Sequence, residues 1–239
     1  MNRKHFGDIR DLFKFDLIRH IMKSMPGITG FTFIPLLTES NGKPDLESGT
    51  KKDMAKAVKT GKAGSQNGNL LQHISRLQEI NSDLEYVQSL HSYFKKENIL
   101  MDILHPHTFT HKEREIYFNN VFVNFPKKSL VFLDPDIGLE PESKPDQRHL
   151  LFDEVKMIYD HLDAGSVLMI YQHFPRKVHD DYIRQRCTQL SELTGSSPLT
   201  ITDNEIIFFL CAKSPNTHDR LETALENYAN SYPALSSRT

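Results

Sequence analysis

Apolar positions along the chain switch repeatedly between helical and strand spacing, which predicts alternating helices and strands. Residues 8–24 carry Ile9, Leu12, Phe13, Leu17 and Ile21 as a helical stripe, and Pro26-Gly27 ends it. Residues 30–37, Gly-Phe-Thr-Phe-Ile-Pro-Leu-Leu, predict a strand in which Pro35 marks an edge position or the strand end. Residues 70–96 predict one amphipathic helix through Leu70, Ile74, Leu77, Leu84, Val87 and Phe94. A strand over 99–104 follows, and Thr110-His-Lys-Glu113 has the capping-box pattern that opens a short helix. Residues 129–133, apolar after Ser129, and 167–171 have the character of strands covered on both faces. Helices are predicted over 150–162, closed by Gly165, over 178–193, closed by Gly195, and over 217–231. Residues 199–202 and 206–212 flank Asp203-Asn204, which reads as a two-residue hairpin turn.

Strands alternating with helices and ending in a hairpin predict an α/β fold. The expected architecture is a three-layer Rossmann-like sandwich with a mostly parallel sheet and a C-terminal β-hairpin. The single domain spans residues 1–239, interrupted by residues 38–69, a weakly periodic insertion with five glycines and six lysines. Within it, residues 54–58 have the character of a short helix.

Composition narrows the function classes. At 239 residues, 38% hydrophobic and 25% charged, the chain has the make-up of an ordinary globular domain. No run of about 18 apolar residues predicts a membrane span, and the N-terminal residues lack a signal-peptide core, so a cytoplasmic protein is expected. Cys187 and Cys211 fall in separate predicted elements, which argues against a disulfide framework or a thiolate metal site. A net charge of −2 excludes a globally basic nucleic-acid binder but not a local basic surface. Lys51, Lys52, Lys56, Lys59 and Lys62 supply such a concentration, with Arg176 and Lys177 after a predicted strand.

The candidate chemistry gathers at strand ends. Residues 129–133 run straight into Asp134-Pro135-Asp136-Ile137-Gly138-Leu139-Glu140, and in parallel α/β sheets ligands bind beyond the carboxyl ends of strands. The competing reading is a polar loop whose Asp side chains bond their own backbone. Gln172 and His173 end the next predicted parallel strand, where His173 offers a group that titrates near neutrality and Gln172 a paired donor and acceptor for a base or amide. Asp8, Asp11 and Lys14 share one face of the first helix, either binding a ligand or forming an N-cap and a salt-bridged first turn. Asp153 and Glu154 read as solvated or supporting acids of a helix. His105, His107 and His111 lack regular ligand spacing, and no metal site is expected.

Three blocks, Phe6-Gly7-Asp8-x-x-Asp11-x-x-Lys14, Leu133-Asp134-Pro135-Asp136-x-Gly138-Leu139-Glu140 and Tyr171-Gln172-His173, resemble a family of uncharacterised bacterial proteins. The order of elements also resembles the ribosomal-RNA adenine methyltransferases, which use S-adenosylmethionine. Their D-P-P-Y-type motif ends a strand, accepts hydrogen bonds from the target amino group and stacks an aromatic on the base. Asp134-Pro135 match it, while Asp136 and Ile137 replace the second proline and the aromatic. Where those enzymes carry a glycine-rich cofactor loop, this chain has Pro35-Leu36-Leu37-Thr38-Glu39-Ser40, with Glu39 as the one candidate to hold a ribose.

A shorter resemblance is to the uracil/thymine-DNA-glycosylase superfamily. There a D-P motif positions or activates water and a later H-x-P motif supports the leaving base. Asp134-Pro135 and His173-Phe174-Pro175 are similar in kind. The favoured expectation is therefore a DNA glycosylase-like hydrolase without a cofactor that excises a modified base, a chemistry suited to defence against phage. Asp134, Asp136 and His173 are its catalytic candidates. Asp8, Asp11, Lys14, Glu140, Gln172 and Arg176 are its substrate-binding candidates, and Lys51, Lys52, Lys56, Lys59, Lys62 and Lys177 would meet phosphates. The alternatives are an S-adenosylmethionine-dependent nucleic-acid methyltransferase, and a nuclease with a metal held by Asp134, Asp136 and Glu140. A non-catalytic interaction protein is the last, and oligomeric state is not legible.

Overall fold

The computed structural model describes residues 5–38, 52–104, 108, 110, 112–121 and 127–238. In chain order the strands are β1 (Gly30–Ile34), β2 (Met101–Ile103), β3 (Ser129–Leu133), β4 (Gly138–Leu139), β5 (His149–Leu150), β6 (Val167–His173), β7 (Leu199–Thr202), β8 (Ile206–Ala212) and β9 (Ser236–Arg238). The helices are α1 (Ile9–Ser24), α2 (Met54–Lys59), α3 (Gly68–Leu77), α4 (Asp83–Lys96), α5 (Arg114–Val121), α6 (Phe152–His161), α7 (His179–Thr194) and α8 (Pro215–Asn230).

Seven strands form one sheet in the order β2-β1-β3-β6-β8-β7-β9, and β4 and β5 pair separately. β2, β1, β3 and β6 are parallel neighbours, whereas β8 runs antiparallel to both β6 and β7, and β9 antiparallel to β7. Five strands thus point one way and β8 and β9 the other. The architecture is the expected α/β sandwich, with β9 added beyond the predicted hairpin.

Alternation along the strands makes the two cores. Leu130 and Phe132 of β3 and Val167, Met169 and Tyr171 of β6 face α1, α3, α4 and α8. Val131, Leu133, Leu168 and Ile170 face α5, α6 and α7. By this alternation Asp134 and His173, one step beyond their last apolar neighbours, fall on the α1 side. From β1 the chain first places β2 on one flank and then β3 on the other. That reversal is the switch point at which doubly wound sheets leave a crevice at the carboxyl ends.

Some elements differ from the sequence expectation, each for a local reason. Residues 70–96 form two helices, because Ser82 caps α4 by accepting a hydrogen bond from the Glu85 amide (3.4 Å). The break lets α4 bury Tyr86, Val87, Leu90, Tyr93 and Phe94, and it leaves Leu84 exposed. β1 stops at Ile34, since Pro35 has no amide hydrogen and Leu36 takes a φ of 36°. β6 extends to His173, held by pairing with Ile206 of β8. The hairpin connection is Asp203–Glu205, one residue longer than expected, with Asp203 Oδ1 accepting from the Glu205 and Ile206 amides.

Helix α1 is not simply amphipathic. Every residue from Asp11 to Ile18 is buried, between the sheet on one side and α3 and α8 on the other. Its charged residues must therefore find partners inside the protein. Asp16 does so through Tyr228 (2.9 Å), Tyr232 (3.0 Å) and Asn67 (2.8 Å), which tie α1 to α8 and to the start of α3. Among the described residues no helix is long and apolar enough to cross a membrane.

Candidate active site

The Phe6-Gly7-Asp8 turn starts α1 and aims it at the end of β3. Phe6 stacks on Tyr86 with ring centres 3.9 Å apart. Gly7 adopts a φ of 72° against the last turn of α3, where a Cβ would strike the Gln78 backbone; the Gln78 side-chain Nε2 donates to the Gly7 carbonyl (2.9 Å). Asp8 caps α1 by accepting through Oδ1 from the Arg10 and Asp11 amides (2.8 and 3.1 Å).

One helical turn later, Lys14 lies inside the protein. Its ammonium sits 3.0 Å from Asp134 Oδ2, 3.3 Å from Asp11 Oδ1 and 4.2 Å from the centre of the Tyr171 ring. Asp11 also accepts from the Gly7 amide and the Tyr86 hydroxyl, each at 2.9 Å. Lys14 is 4% exposed, Asp11 1% and Asp134 0%. Burial by itself would lower the Lys14 pKa, but Asp134 and Asp11 outweigh it and hold the ammonium protonated. Burial raises the Asp134 carboxyl and Lys14 opposes that rise. Burial and the neighbouring Asp11 raise Asp8 from 3.8 to about 7, against the pull of Lys14 and Arg10.

The Tyr171 hydroxyl meets His173 Nε2 at 2.9 Å, so Lys14, Tyr171 and His173 form one connected row. A narrow cleft opens above that row, lined by His5, Asp8, Arg10, Lys14, Asp134, Asp136, Tyr171 and His173. Its free volume is about 10 Å3, room for one water-sized group. Asp136 stands partly exposed at the mouth, accepting from the Thr38 hydroxyl (3.4 Å) in the loop four residues beyond β1.

Gln172 takes no part in the cleft surface. It is buried, accepts from the Leu139 amide (2.7 Å) and donates to the Ile137 and His173 carbonyls (3.3 and 2.5 Å). The His173 amide donates to the Ile137 carbonyl (3.0 Å). Gly138 adopts a φ of 134°, and a Cβ there would overlap the Gln172 amide. The amide expected to read a base instead fastens the Asp136 loop to the end of β6.

The remaining candidates separate. Glu140 accepts from the Phe152 amide (2.7 Å) at the start of α6 and lies outside the cleft lining. The metal triad with Asp134 and Asp136 thus loses a member. Among the described residues, the grouping within metal-binding range is His218, Asp219 and Glu222 on α8, remote in sequence from the cleft acids. Of the two helix acids read as solvated or supporting, Glu154 is buried against Arg114 (2.6 Å) and Asp153 is exposed. Lys62 is engaged by Glu205 (2.5 Å) and Asp203 (3.6 Å) rather than free for phosphate. Lys56, Lys59, Arg176 and Lys177 are exposed, and Lys52 is half-buried. Lys51, Glu39, His105, His107 and His111 lie outside the described residues.

Sequence reasoning missed Arg10, His5 and Tyr171 as cleft residues and Tyr86 as the partner of Asp11. The available signal was the charged Asp11, Lys14 and Asp16 set within Leu12-Phe13 and Phe15 to Ile18. No protein-family model matches the chain, and no curated protein matches it.

Replacing Lys14 by Met strands two buried carboxylates, so Lys14→Met should destabilise the protein by about 3–5 kcal/mol in urea unfolding. Asp8 gives a pH signature. The folded protein keeps its proton up to about pH 7, whereas the unfolded chain releases it near the ordinary Asp value of 3.8. Asp8 therefore costs stability progressively from about pH 4 to 7, at up to about 1.4 kcal/mol per pH unit, with no further change above. Asn caps as well as Asp, so the Tm of Asp8→Asn relative to wild type should climb over that window and level off. A difference independent of pH would contradict the assignment.

Proposed function

We propose that this protein is a nucleic-acid-processing hydrolase that cleaves an N-glycosidic bond, a DNA glycosylase-like enzyme acting on a modified base. One observation carries the reading: Asp136 and His173 border a single acid-rich cleft at the switch point of the sheet. N-glycosidic cleavage breaks the bond between the sugar C1′ and the base nitrogen, and the electron pair leaves with the base. The sugar becomes oxocarbenium-like and needs negative charge nearby, while the leaving base needs a proton or a hydrogen bond.

Asp136, partly exposed, would take the proton of an attacking water as it adds to C1′. Asp134 is fully buried on Lys14, so its part is to steady the field rather than to meet water. His173, oriented by the Tyr171 hydroxyl, is placed to supply the proton to the departing base. The target nucleotide would be flipped to reach the cleft, with Lys56, Lys59, Arg176 and Lys177 meeting the phosphates.

A methyltransferase-like function is the second reading, favoured by Asp134-Pro135 leaving β3 directly beside β1. The described residues fit S-adenosylmethionine poorly. β1 is followed by Pro35, the buried Leu36 and Leu37, and Thr38, without a glycine turn to admit a nucleoside.

The deciding experiment incubates the protein with normal and phage-modified DNA in excess chelator, then assays free base and alkali-labile abasic sites. Release from a modified DNA is expected. Asp136→Asn and His173→Ala should each reduce it by about 100-fold or more while keeping the wild-type Tm. Failure to release base from any modified DNA, or saturable S-adenosylmethionine binding with methyl transfer, would overturn the proposal.

A further inference from the structure

The cleft treats positive nitrogen in a distinctive way. The chain's own Lys14 ammonium sits between two carboxylates and against the Tyr171 ring, so this corner already stabilises an amine. Next to it, Asp8 is 1% exposed and its Oδ2 has no hydrogen-bond partner. Among the described residues its ion-pair distances are long, with His5 Nδ1 at 3.8 Å and Arg10 Nη1 at 4.0 Å. Oδ1 of the same carboxylate is fully engaged in capping α1, so the two oxygens have separate tasks. Once ionised, above about pH 7, Oδ2 is an acceptor deeply buried and left without a donor, which is rare in native proteins and asks for a specific explanation. Here it belongs to the wall of a cleft with room for one water-sized group, and the other carboxylates of that wall are Asp134 and Asp136.

We infer that this cleft is a subsite for a single amino group, with Asp8 Oδ2 as the acceptor that recognises it, and that the substrate therefore carries an exocyclic amine or an ammonium. The inference deepens the glycosylase reading and rests on it for the base: an amino-bearing base would lodge its –NH2 among the acids, its ring remaining at the mouth beside Asp136 and His173. A uracil or thymine ring would offer a carbonyl oxygen to that acceptor-rich wall and be repelled. Arg10, whose buried Nε also lacks a hydrogen-bond partner, stands ready for an acceptor adjacent to the amine, such as a ring nitrogen.

The test titrates the full chain at pH 8 with methylammonium chloride, cytosine and uracil, following amide and histidine resonances by NMR. Methylammonium and cytosine should shift Gly7 to Arg10 and His173, with uracil bound at least ten-fold more weakly. Asp8→Asn keeps the cap but exchanges the acceptor for a donor, so it should erase the preference for cytosine over uracil. If that variant does not fold, Asp8→Ser caps the helix while removing the second oxygen and should do the same. Uracil binding as tightly as cytosine, or a preference unchanged by either variant, would overturn the subsite and leave the hydrolase reading standing. Methylammonium bound through Asp8 with neither base bound would uphold the subsite and remove the base-hydrolase reading. No shift with any of the three probes would overturn the subsite.

Discussion

An ammonium group at the centre of a protein dictates much of what surrounds it. Lys14 cannot be buried without carboxylates within contact distance, and two are present, one from its own helix and one from the end of β3. That requirement fixes where α1 crosses the sheet, and so where the Phe6-Gly7-Asp8 turn begins it. Tyr86 and the Gly7 amide then satisfy the other oxygen of Asp11. Three acids, Asp8, Asp11 and Asp134, face Lys14 and the more distant Arg10. Asp8 stands outside the direct contacts of Lys14, and burial and Asp11 raise its carboxyl to about 7.

A second constraint acts on the opposite rim. Gln172 and the Gly138 turn bind the Asp136 loop to the strand end that carries His173, so these two groups move together or not at all. The glycine is required by backbone conformation and by the closeness of the amide, independently of any substrate. The two rims differ accordingly: the α1 side is held by charge, the β6 side by backbone hydrogen bonds.

Periodicity made the sandwich legible, because β3 and β6 are buried on both faces and α6 and α8 have clear stripes. It overran at residues 78–82, where apolar spacing persists through a Ser82-capped break that only packing decides. The site was legible in part. Asp134, Asp136, His173, Asp8, Asp11 and Lys14 do converge, since strand ends and the first helix share one rim. Gln172 and Glu140 looked chemical because polar side chains near acids look alike in sequence, yet both satisfy backbone amides that only the folded chain presents. Lys62 was misread for a related reason. Its acid partners, Asp203 and Glu205, are more than a hundred positions away.

Helix α1 is sewn to parts of the chain that are made much later. Lys14 waits for Asp134, 120 residues downstream, and Asp16 for Tyr228 and Tyr232, more than 200 downstream. During synthesis α1 thus emerges before Asp134, Tyr228 and Tyr232, the distant partners that complete its buried charge network. Contacts of such sequence separation form slowly. The cleft should consequently be assembled in the last step of folding, and a nascent or truncated chain would expose a sticky, charge-studded helix to chaperones before the cleft existed.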